Sequence, residues 1–469
     1  MFRKITTNQK YVVATVYVIS MVLSSLDATI VNVTLASLGR AFGVAANEVE
    51  AVTVWYLVSL AVIMPASGWL ADRFGPRNVF LVALAIYTAT NFMAGFAQML
   101  DQLVFCRIVQ GFGGGLLVPV GMGLLYRTFP PAERIAVGRV LMFATILGPA
   151  IGPVLGGAIL EFASWPWTFF VKVPIAGGAL LFGIRYLEDE RNEAVPGRFD
   201  WIGFVLGGAG LGAVMFTVLR GPDIGWTNPA LLFCGIVGLI ALGTFVWHEL
   251  RITAPMVDLR LLTNRLFACT IRVSFFANAG FMGLLFVVPL FLQDVRHASP
   301  LHTGLATMPE ALGVVISTQV VARLYPRLGP SKLMGGSMLL VTVAIAIFAF
   351  IKADTPLWLV GGVMFVIGVG MAGLFLPNQA ASMATISREK LSGASMVSSV
   401  QRQIASALGV AALSTVLSVI GVDRVTAAGP DLKAWKIAFI CAAVMTLVAS
   451  FMGWRVPDED AAETMQRGA

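Results

Sequence analysis

Residues 68–77 of this chain read GWLADRFGPR, and most of that pattern returns in the second half of the sequence. There, residues 324–331 read LYPRLGPS and echo the LADRFGPR of residues 70–77. A second echo pairs GLLVP at residues 115–119 with GLFLP at residues 373–377, at nearly the same offset. Two echoes at nearly the same offset predict a chain built from two structurally related halves.

The composition around these segments excludes a soluble protein. Hydrophobic residues make up 58% of the 469 residues and charged residues only 12%, whereas soluble domains carry about 25% charged residues. The apolar residues fall in blocks of roughly twenty, which is the length of a helix that crosses a bilayer. The chain is therefore predicted to be an all-α polytopic membrane protein.

Long apolar runs predict fourteen transmembrane helices. The predicted spans are 11–34, 50–71, 78–98, 102–126, 136–160, 165–187, 200–220, 229–247, 266–292, 302–322, 333–351, 356–383, 394–420 and 434–454. The first run lacks a short apolar core followed by a small-residue cleavage site, so we predict that it is retained as a span.

The distribution of basic residues predicts the orientation of these spans. With an even number of spans, both ends of the chain lie on one side of the membrane. The loops on that side hold about three times as many Lys and Arg residues as the other loops, and basic loops stay in the cytoplasm. We therefore predict a bacterial inner (cytoplasmic) membrane protein with cytoplasmic termini, whose net charge of +7 requires no nucleic-acid partner.

The echoes lie in the first six and the last six spans, which leaves spans seven and eight as an extra pair. This arrangement predicts an N-terminal six-helix half at residues 1–187 and two linker transmembrane helices at residues 188–250. A C-terminal six-helix half follows at residues 251–455, with a cytoplasmic tail at residues 456–469.

Metal and nucleotide chemistry have little support in the sequence. The four cysteines each lie singly in an apolar block, and the three histidines lie at block ends without ligand spacing. The chain contains neither a phosphate loop of the Gly-x-x-x-x-Gly-Lys type nor a clustered catalytic set. We therefore expect no metal, no cofactor and no enzymatic activity.

Four motifs make the chain resemble the major facilitator superfamily, and within it the fourteen-span drug:proton antiporter family. Residues 68–77 are similar to the loop signature of the superfamily. LDATIVNV at residues 26–33 resembles the first-helix motif, RIVQG at residues 107–111 the fourth-helix motif, and GPAIGPVLGG at residues 148–157 the fifth-helix motif of antiporters. Over residues 11–455 the resemblance implies the major facilitator fold, with two six-helix halves plus two extra helices.

The resemblance also assigns roles to residues in these motifs. It implies a conformational latch in the loop signature, where we expect Asp72 to bond Arg73. The latch residues are Gly68, Asp72, Arg73, Gly75 and Arg77. VQRQI at residues 400–404 resembles a further motif, which implies that Arg402 lies at the interface between the halves, as a structural residue or as a gate.

The fifth-helix motif also has a physical basis. Its residues are Gly148, Pro149, Gly152, Pro153, Gly156 and Gly157. Glycines at every fourth position lie on one helix face and let a neighbouring backbone come close, and the prolines add a bend. These physical properties alone indicate only close helix packing. The resemblance to the antiporter motif additionally implies export by antiport.

Asp27 and Arg107 are the leading candidates for proton coupling. Both lie six or seven residues below the predicted outer surface, roughly 10 Å deep at helical rise, so they could meet. Pairing in one state and its loss in another would change the proton affinity of the carboxylate and couple protonation to conformation. The alternative is a permanent buried pair that only fixes helix packing.

Other polar residues lie inside the predicted spans. Five uncharged polar residues are candidates for the substrate cavity: Thr29, Asn32, Gln110, Asn278 and Gln379. Each of them could instead form hydrogen bonds that hold helices together. Glu310 lies roughly 12 Å deep and is either neutral, paired with Lys172 or Arg272, or exposed to the aqueous cavity as a second acidic site. Lys172 stands where the family has asparagine, and Pro166 where it has arginine, which leaves nearby substrate contacts undefined.

These features predict a proton-coupled antiporter that exports small amphipathic compounds, with a proton gradient as its energy source. Asp27 and Glu310 favour cationic drugs, whereas the buried arginines and lysine favour the alternative, an exporter of lipids or fatty acids. The expected partners are small-molecule substrates, protons and the lipid bilayer. We expect a monomer, and the sequence identifies no periplasmic adaptor.

Overall fold

A computed structural model describes most of the chain as long helices. It describes residues 9–44, 46–130, 133–188, 199–252, 255–296, 298, 300–352, 354–420, 425–426, 429–430 and 432–465. Most of the charged segment between Glu188 and Asp200 and the last residues of the predicted tail lie outside these ranges.

The main helices follow the predicted order of spans. They are α1 (Gln9–Phe42), α2 (Ala51–Ile63), α3 (Ser67–Phe74), α4 (Pro76–Ala94), α5 (Leu100–Thr128), α6 (Arg134–Phe162), α7 (Lys172–Tyr186), α8 (Trp201–Ile224), α9 (Pro229–Arg251), α10 (Arg265–Asp294), α11 (Pro300–Thr307), α12 (Pro309–Phe348), α13 (Leu357–Ala381), α14 (Leu391–Ile420) and α15 (Lys433–Gly453). Four-residue helices span Ala46–Val49, Trp167–Phe170 and Ala462–Met465. Short 3-10 helices span Met64–Ala66, Leu259–Thr263, Arg388–Lys390 and Glu459–Ala461, and Val425–Thr426 pairs antiparallel with Gly429–Pro430.

The predicted all-α membrane fold is confirmed. Within the described ranges, eleven helical segments are long and apolar enough to cross a membrane. One of them, His302–Phe348, covers two predicted spans, while α4 and α6 match two further predicted spans without being among the eleven. The count of fourteen spans therefore stays a prediction.

Two glycines show how the repeated loop segment is used in each half. Gly75 separates α3 from α4 with a φ of 85°, and Gly329 interrupts α12 with a φ of 73°. Glycine adopts this left-handed region without the steric cost that a side chain would add. The two echoed sequences thus form the same kind of turn, as expected from a duplication.

The apolar core is divided between the two halves of the chain. One cluster of buried residues runs from Leu266 to Ala461, while another is built mainly from residues 12–187. The second cluster also includes Phe267, Leu391 and Val397 from the C-terminal half. The two halves therefore meet at one end of the molecule, where α1 begins and where the segment after α15 lies. We call this end the terminus side. We call the other end of the molecule the opposite side.

The predicted tail packs against the C-terminal half as far as the structure describes it. Asp458 accepts a hydrogen bond from the Ser331 backbone nitrogen at 2.7 Å, beside the turn at Gly329. The hydroxyls of Tyr325 and Thr464 are 2.7 Å apart. The predicted division at residues 187, 250 and 455 stays a prediction.

Candidate functional site

Asp27 lies at the centre of a buried charged cluster in the N-terminal half. Its side chain, midway along α1, is 0% exposed. One carboxylate oxygen accepts a hydrogen bond from Arg107 Nη1 at 2.7 Å, and the other accepts one from Lys172 Nζ. Gln110 Nε2 donates a further, longer bond of 3.3 Å to the oxygen that Arg107 contacts. The predicted contact between Asp27 and Arg107 is therefore present.

Arg107 contacts several further groups besides Asp27. From α5, its Nε donates to the backbone oxygen of Val52 at 3.2 Å, and its Nη1 also donates to Gln110 Oε1 at 2.9 Å. The guanidinium carbon lies 4.1 Å from the centre of the Tyr56 ring, which is the geometry of a cation–π contact. These contacts fix Arg107 against α2, so the Asp27 carboxylate meets a rigid cation.

Lys172 is the member of the cluster that the sequence did not assign. It begins α7 and is 1% exposed, and its ammonium lies 4.8 Å from the centre of the Phe169 ring. Lys172 is one of the two expected partners of Glu310, but the structure pairs it with Asp27 instead. One signal in the sequence could have indicated this pairing: Lys172 and Arg107 lie at matching depth below the opposite side.

The cluster is enclosed within the N-terminal half. Its members come from α1, α5 and α7, and the groups that they contact come from α2 and the short helix Trp167–Phe170. Asp27, Arg107 and Lys172 are each 0% or 1% exposed. Water on either side of the membrane therefore reaches the carboxylate only after these helices move.

The glycines of the fifth-helix motif place α6 directly against the Asp27 helix. A Cβ atom at Gly148 would overlap Ser25, and one at Gly152 would overlap the Thr29 hydroxyl. At Gly156 the nearest atoms, in Ile30 and Val33, would be 3.6 Å away. The predicted close approach of a neighbouring backbone is present, and the neighbour is α1.

Thr29 serves this helix contact. Its Oγ1 lies 3.2 Å from the Gly148 backbone oxygen and within 3.2 Å of the Ser25 and Leu26 backbone oxygens. The hydroxyl thus has acceptors in both α1 and α6, as expected of a residue that holds two helices together. The side chains of Asn32, Pro149 and Pro153 lie outside the described part of the structure.

We expect Gly148→Ala to destabilise the protein, because the new Cβ would overlap Ser25 where α6 crosses α1. Overpacking of this kind costs about 1–3 kcal/mol. Gly157→Ala is the matched control in the same helix, since a Cβ there would meet nothing within 4 Å. Thermal unfolding in detergent measures both variants. Equal melting temperatures for the two variants would contradict the packing account.

The latch residues join the two halves on the terminus side, although not through the expected pair. Asp72 accepts a hydrogen bond from Arg127 Nη2 at 2.8 Å, and the same nitrogen donates to Ser392 Oγ at 2.7 Å. Arg73, the expected partner of Asp72, is exposed. The contact therefore links α3, α5 and the start of α14, which the adjacency of Asp72 and Arg73 in the sequence could not indicate.

Three other residues of the loop signature have separate structural roles. Gly68 faces the Gly393 backbone, where a Cβ would lie 3.4 Å from the Gly393 Cα, so α3 and α14 pack closely. Gly75 provides the turn with positive φ. Arg77 donates to the backbone oxygens of Leu187 at 2.5 Å and Ile184 at 2.9 Å, at the end of α7. A cation at a helix C-terminus is favourable because it satisfies free carbonyls.

We expect Asp72→Ala to slow transport, because Arg127 would lose its charged partner in the state in which α5 and α14 are joined. A charge-assisted hydrogen bond contributes about 1.5–3 kcal/mol, and a population shift of that size would slow the cycle at least about tenfold. Initial transport rates in proteoliposomes measure the effect. Arg73→Ala is the control, and an equal loss in both variants, or none in Asp72→Ala, would contradict this role.

A second contact between the halves surrounds Tyr126. Its hydroxyl donates to the Gln379 backbone oxygen at 2.7 Å, and Gln379 Nε2 lies 3.7 Å from Met122 Sδ. Arg402 is half-buried and close enough to Tyr126 and Tyr17 to interact electrostatically with both. Arg402 therefore lies at the predicted interface, whereas Gln379 forms part of the closed contact between the halves.

Arg134 is buried beside the same tyrosine. Its guanidinium carbon lies 5.0 Å from the centre of the Tyr126 ring, and Gly138, one turn further along α6, faces Leu376 and Gln379. The terminus side is thus closed by polar and aromatic groups from α5, α6 and α13. We call this set of contacts, together with those of Asp72, Arg127 and Ser392, the terminus-side gate.

The remaining candidates lie in the C-terminal half, apart from the Asp27 cluster. Asn278 is buried and donates to the Ser274 backbone oxygen at 2.7 Å within its own helix. Arg272 Nε donates to the Ala268 backbone oxygen at 3.1 Å. The side chain of Glu310, at the start of α12, forms no hydrogen bond or ion pair with any residue that the structure describes. Neither expected base pairs with it.

A cavity lies beside the turn that carries Glu310. It has a volume of about 500 Å³ and is lined by Pro309, by His302 and Ala306 of α11, and by Trp358 and Phe365 of α13 among others. Glu310 follows Pro309 but is not itself in the lining. Within the described ranges, no three His, Cys, Asp or Glu residues are grouped so as to hold a metal ion.

Comparison with known proteins identifies the family. The family profile of the Major Facilitator Superfamily matches residues 17–410 and 272–468. The chain belongs to the major facilitator superfamily. This family and fold point to a transporter rather than an enzyme.

The relatives of this facilitator include multidrug resistance proteins. It is 30% identical over 415 residues to the multidrug resistance protein B homolog of Mycobacterium tuberculosis, covering 86% of this chain and 76% of the relative.

Solved structures share the fold at low sequence identity. The human organic anion transporter MFSD10 (TETRAN) aligns with a TM-score of 0.67 at 16% identity, covering 95% of this chain and 99% of that chain. The proton:xylose symporter XylE bound to 6-bromo-6-deoxy-D-glucose aligns with a TM-score of 0.65 at 15% identity, covering 98% and 99%. The family match and the relative make this facilitator a multi-pass membrane transporter related to drug-resistance proteins.

Proposed function

We propose that this protein is a proton-coupled antiporter that exports small amphipathic, mainly cationic, drugs across the cytoplasmic membrane by alternating access. The observation that carries the proposal is the Asp27 carboxylate, buried among the helices of the N-terminal half and held by Arg107 and Lys172. Charged groups at this depth are costly, and in transporters they mark ion and proton pathways. The multidrug resistance relative supports drugs as the substrates.

The cycle alternates between two arrangements of the halves. In one, the terminus-side gate is closed by the contacts of Arg127 and Tyr126 with the C-terminal half. In the other, the gate opens, and substrate enters from the terminus side, which we place in the cytoplasm. Movement of α1, α5 and α7 changes the contacts around Asp27, so proton binding favours one arrangement and proton release the other.

Several features support cations as the preferred substrates. Glu310 has no cationic partner among the described residues, so its carboxylate can bind a proton or a cationic ligand. The nearby cavity is lined by Trp358, Phe365 and His302 together with aliphatic residues and glycines. Aromatic and apolar linings suit amphipathic ligands, and aromatic faces attract cations.

Transport into everted membrane vesicles tests this function. Under a pH gradient that is acidic inside, we expect vesicles with the protein to accumulate cationic amphiphiles, and we expect collapse of the gradient with an ionophore to stop accumulation. Neutral amphiphiles and fatty acids form the comparison panel. Accumulation that persists without the gradient would contradict proton coupling, and accumulation of fatty acids alone would contradict drug export.

A further inference from the structure

The Asp27 cluster contains more positive than negative charge. Asp27 supplies one carboxylate, and it bonds two basic side chains, Arg107 and Lys172. When all three groups are ionised, the cluster therefore carries one uncompensated positive charge. The three side chains are 0% or 1% exposed, so water does not compensate this charge directly. Loss of a single proton from the cluster would make it neutral.

The charged groups around Lys172 come from two helices. Asp27 of α1 attracts the ammonium, and Arg107 of α5 repels it. The other polar side chains of the cluster are uncharged: Gln110 bonds Asp27 and Arg107, and the Tyr56 ring of α2 faces Arg107. From α4, the Tyr87 hydroxyl donates to the Leu23 backbone oxygen at 3.2 Å. Repulsion from Arg107 and burial both act against a second cation at this place.

Only one of the two cations can release a proton. The guanidinium of arginine stays protonated in proteins, whereas a buried lysine amine can lose its proton. Arg107 is also fixed by acceptors on Val52, Asp27 and Gln110. Lys172 Nζ donates to Asp27 and otherwise faces the Phe169 ring. Breaking the Lys172 contact therefore disturbs the cluster less than breaking those of Arg107.

Protonation of Asp27 would have the opposite effect on the charge balance. A neutral Asp27 would leave Arg107 and Lys172 as two buried cations without a counter-ion in the contacts that they make. Leaving buried charge uncompensated is strongly unfavourable. The charge count thus favours a permanently ionised Asp27 and a proton that is exchanged on the lysine.

We propose that Lys172, rather than Asp27, carries the transported proton, and that the Asp27–Arg107 pair is its fixed counter-charge. This inference rests on the proposed proton-coupled function and specifies the group that performs it. When the helices of the N-terminal half part towards the terminus side, the Lys172 Nζ–H bond breaks and the proton passes to water. The neutral amine takes up a proton from water on the opposite side and again bonds Asp27 as an ammonium.

The decisive variant is Lys172→Arg, which keeps the positive charge but cannot release a proton. Purified wild-type and variant proteins are placed in proteoliposomes that contain a pH-sensitive dye. Exchange of labelled for unlabelled cationic amphiphile, which needs no net proton movement, is measured alongside substrate-driven proton movement. We expect Lys172→Arg to exchange substrate above the level of protein-free liposomes and to show no substrate-driven proton movement.

Lys172→Gln keeps the test decisive if the arginine variant fails to fold. It leaves a neutral Asp27–Arg107 pair, and we expect it also to exchange substrate without proton movement. Proton movement at wild-type stoichiometry in either variant would overturn the assignment to Lys172 while leaving proton-coupled export intact. If the wild type itself moves substrate without protons, the proposed function fails, which is a different outcome.

Discussion

Asp27→Asn is expected to reduce gradient-driven accumulation of drug to the level of vesicles without the protein. The amide keeps the shape of the side chain but has no negative charge, so it cannot serve as the counter-charge of Arg107 and Lys172. Removing one partner of a buried ion pair costs about 3–5 kcal/mol. Accumulation under an imposed pH gradient measures the effect, and thermal unfolding measures the loss of stability.

The double variant Asp27→Asn/Lys172→Met separates loss of coupling from loss of folding. It removes one charge of each sign, so the cluster retains a single cation, Arg107, with acceptors on Val52 and Gln110. We expect the melting temperature to recover relative to Asp27→Asn, while accumulation stays at background. Concentrative export by a well-folded protein that carries Asp27→Asn would contradict the role of the cluster in coupling.

Glu310→Gln is expected to reduce export of cationic compounds about tenfold and to leave neutral compounds unchanged. The carboxylate forms no ion pair with the described residues, and loss of one charge–charge contact in a partly buried site costs at least about 1.4 kcal/mol. Asp294→Asn is the matched control, since Asp294 is an exposed acid at the end of α10 on the same side.

The panel of substrates distinguishes the two interpretations of Glu310. A carboxylate that attracts ligands affects only cations, whereas a carboxylate that stabilises the fold affects every compound alike and lowers the melting temperature. Equal export of cations and neutral compounds by a well-folded Glu310→Gln protein would remove Glu310 from the substrate site. The same loss in Asp294→Asn would instead indicate a general surface-charge effect.

Part of the candidate site could be predicted from the sequence, because the depth of a residue in the membrane follows from counting residues along its span. Asp27 and Arg107 lie at matching depth in the first and fourth spans, and the resemblance brings those spans together, so their contact could be predicted. The spacing of Gly148, Gly152 and Gly156 likewise indicated one helix face, and α1 lies against it in the structure.

Other contacts depend on the rotation of helices about their axes, which depth does not give. Lys172 could be placed near the level of Arg107, but nothing in the sequence showed that its side chain turns towards Asp27. Asp72 lies next to Arg73 in the chain, yet α3 directs its carboxylate to Arg127, which is far away in sequence. Such pairings come from the packing of α3, α5 and α7, and so from the folded structure.

Substrate-driven proton movement across a sealed membrane tests the central claim most directly. Proteoliposomes that contain a pH-sensitive dye are loaded with a cationic amphiphile and diluted into amphiphile-free buffer of equal pH. The account predicts that efflux of the amphiphile through the wild-type protein drives protons inwards, and that Asp27→Asn abolishes this acidification. Efflux through the wild-type protein without any acidification beyond that of protein-free liposomes would contradict proton-coupled antiport.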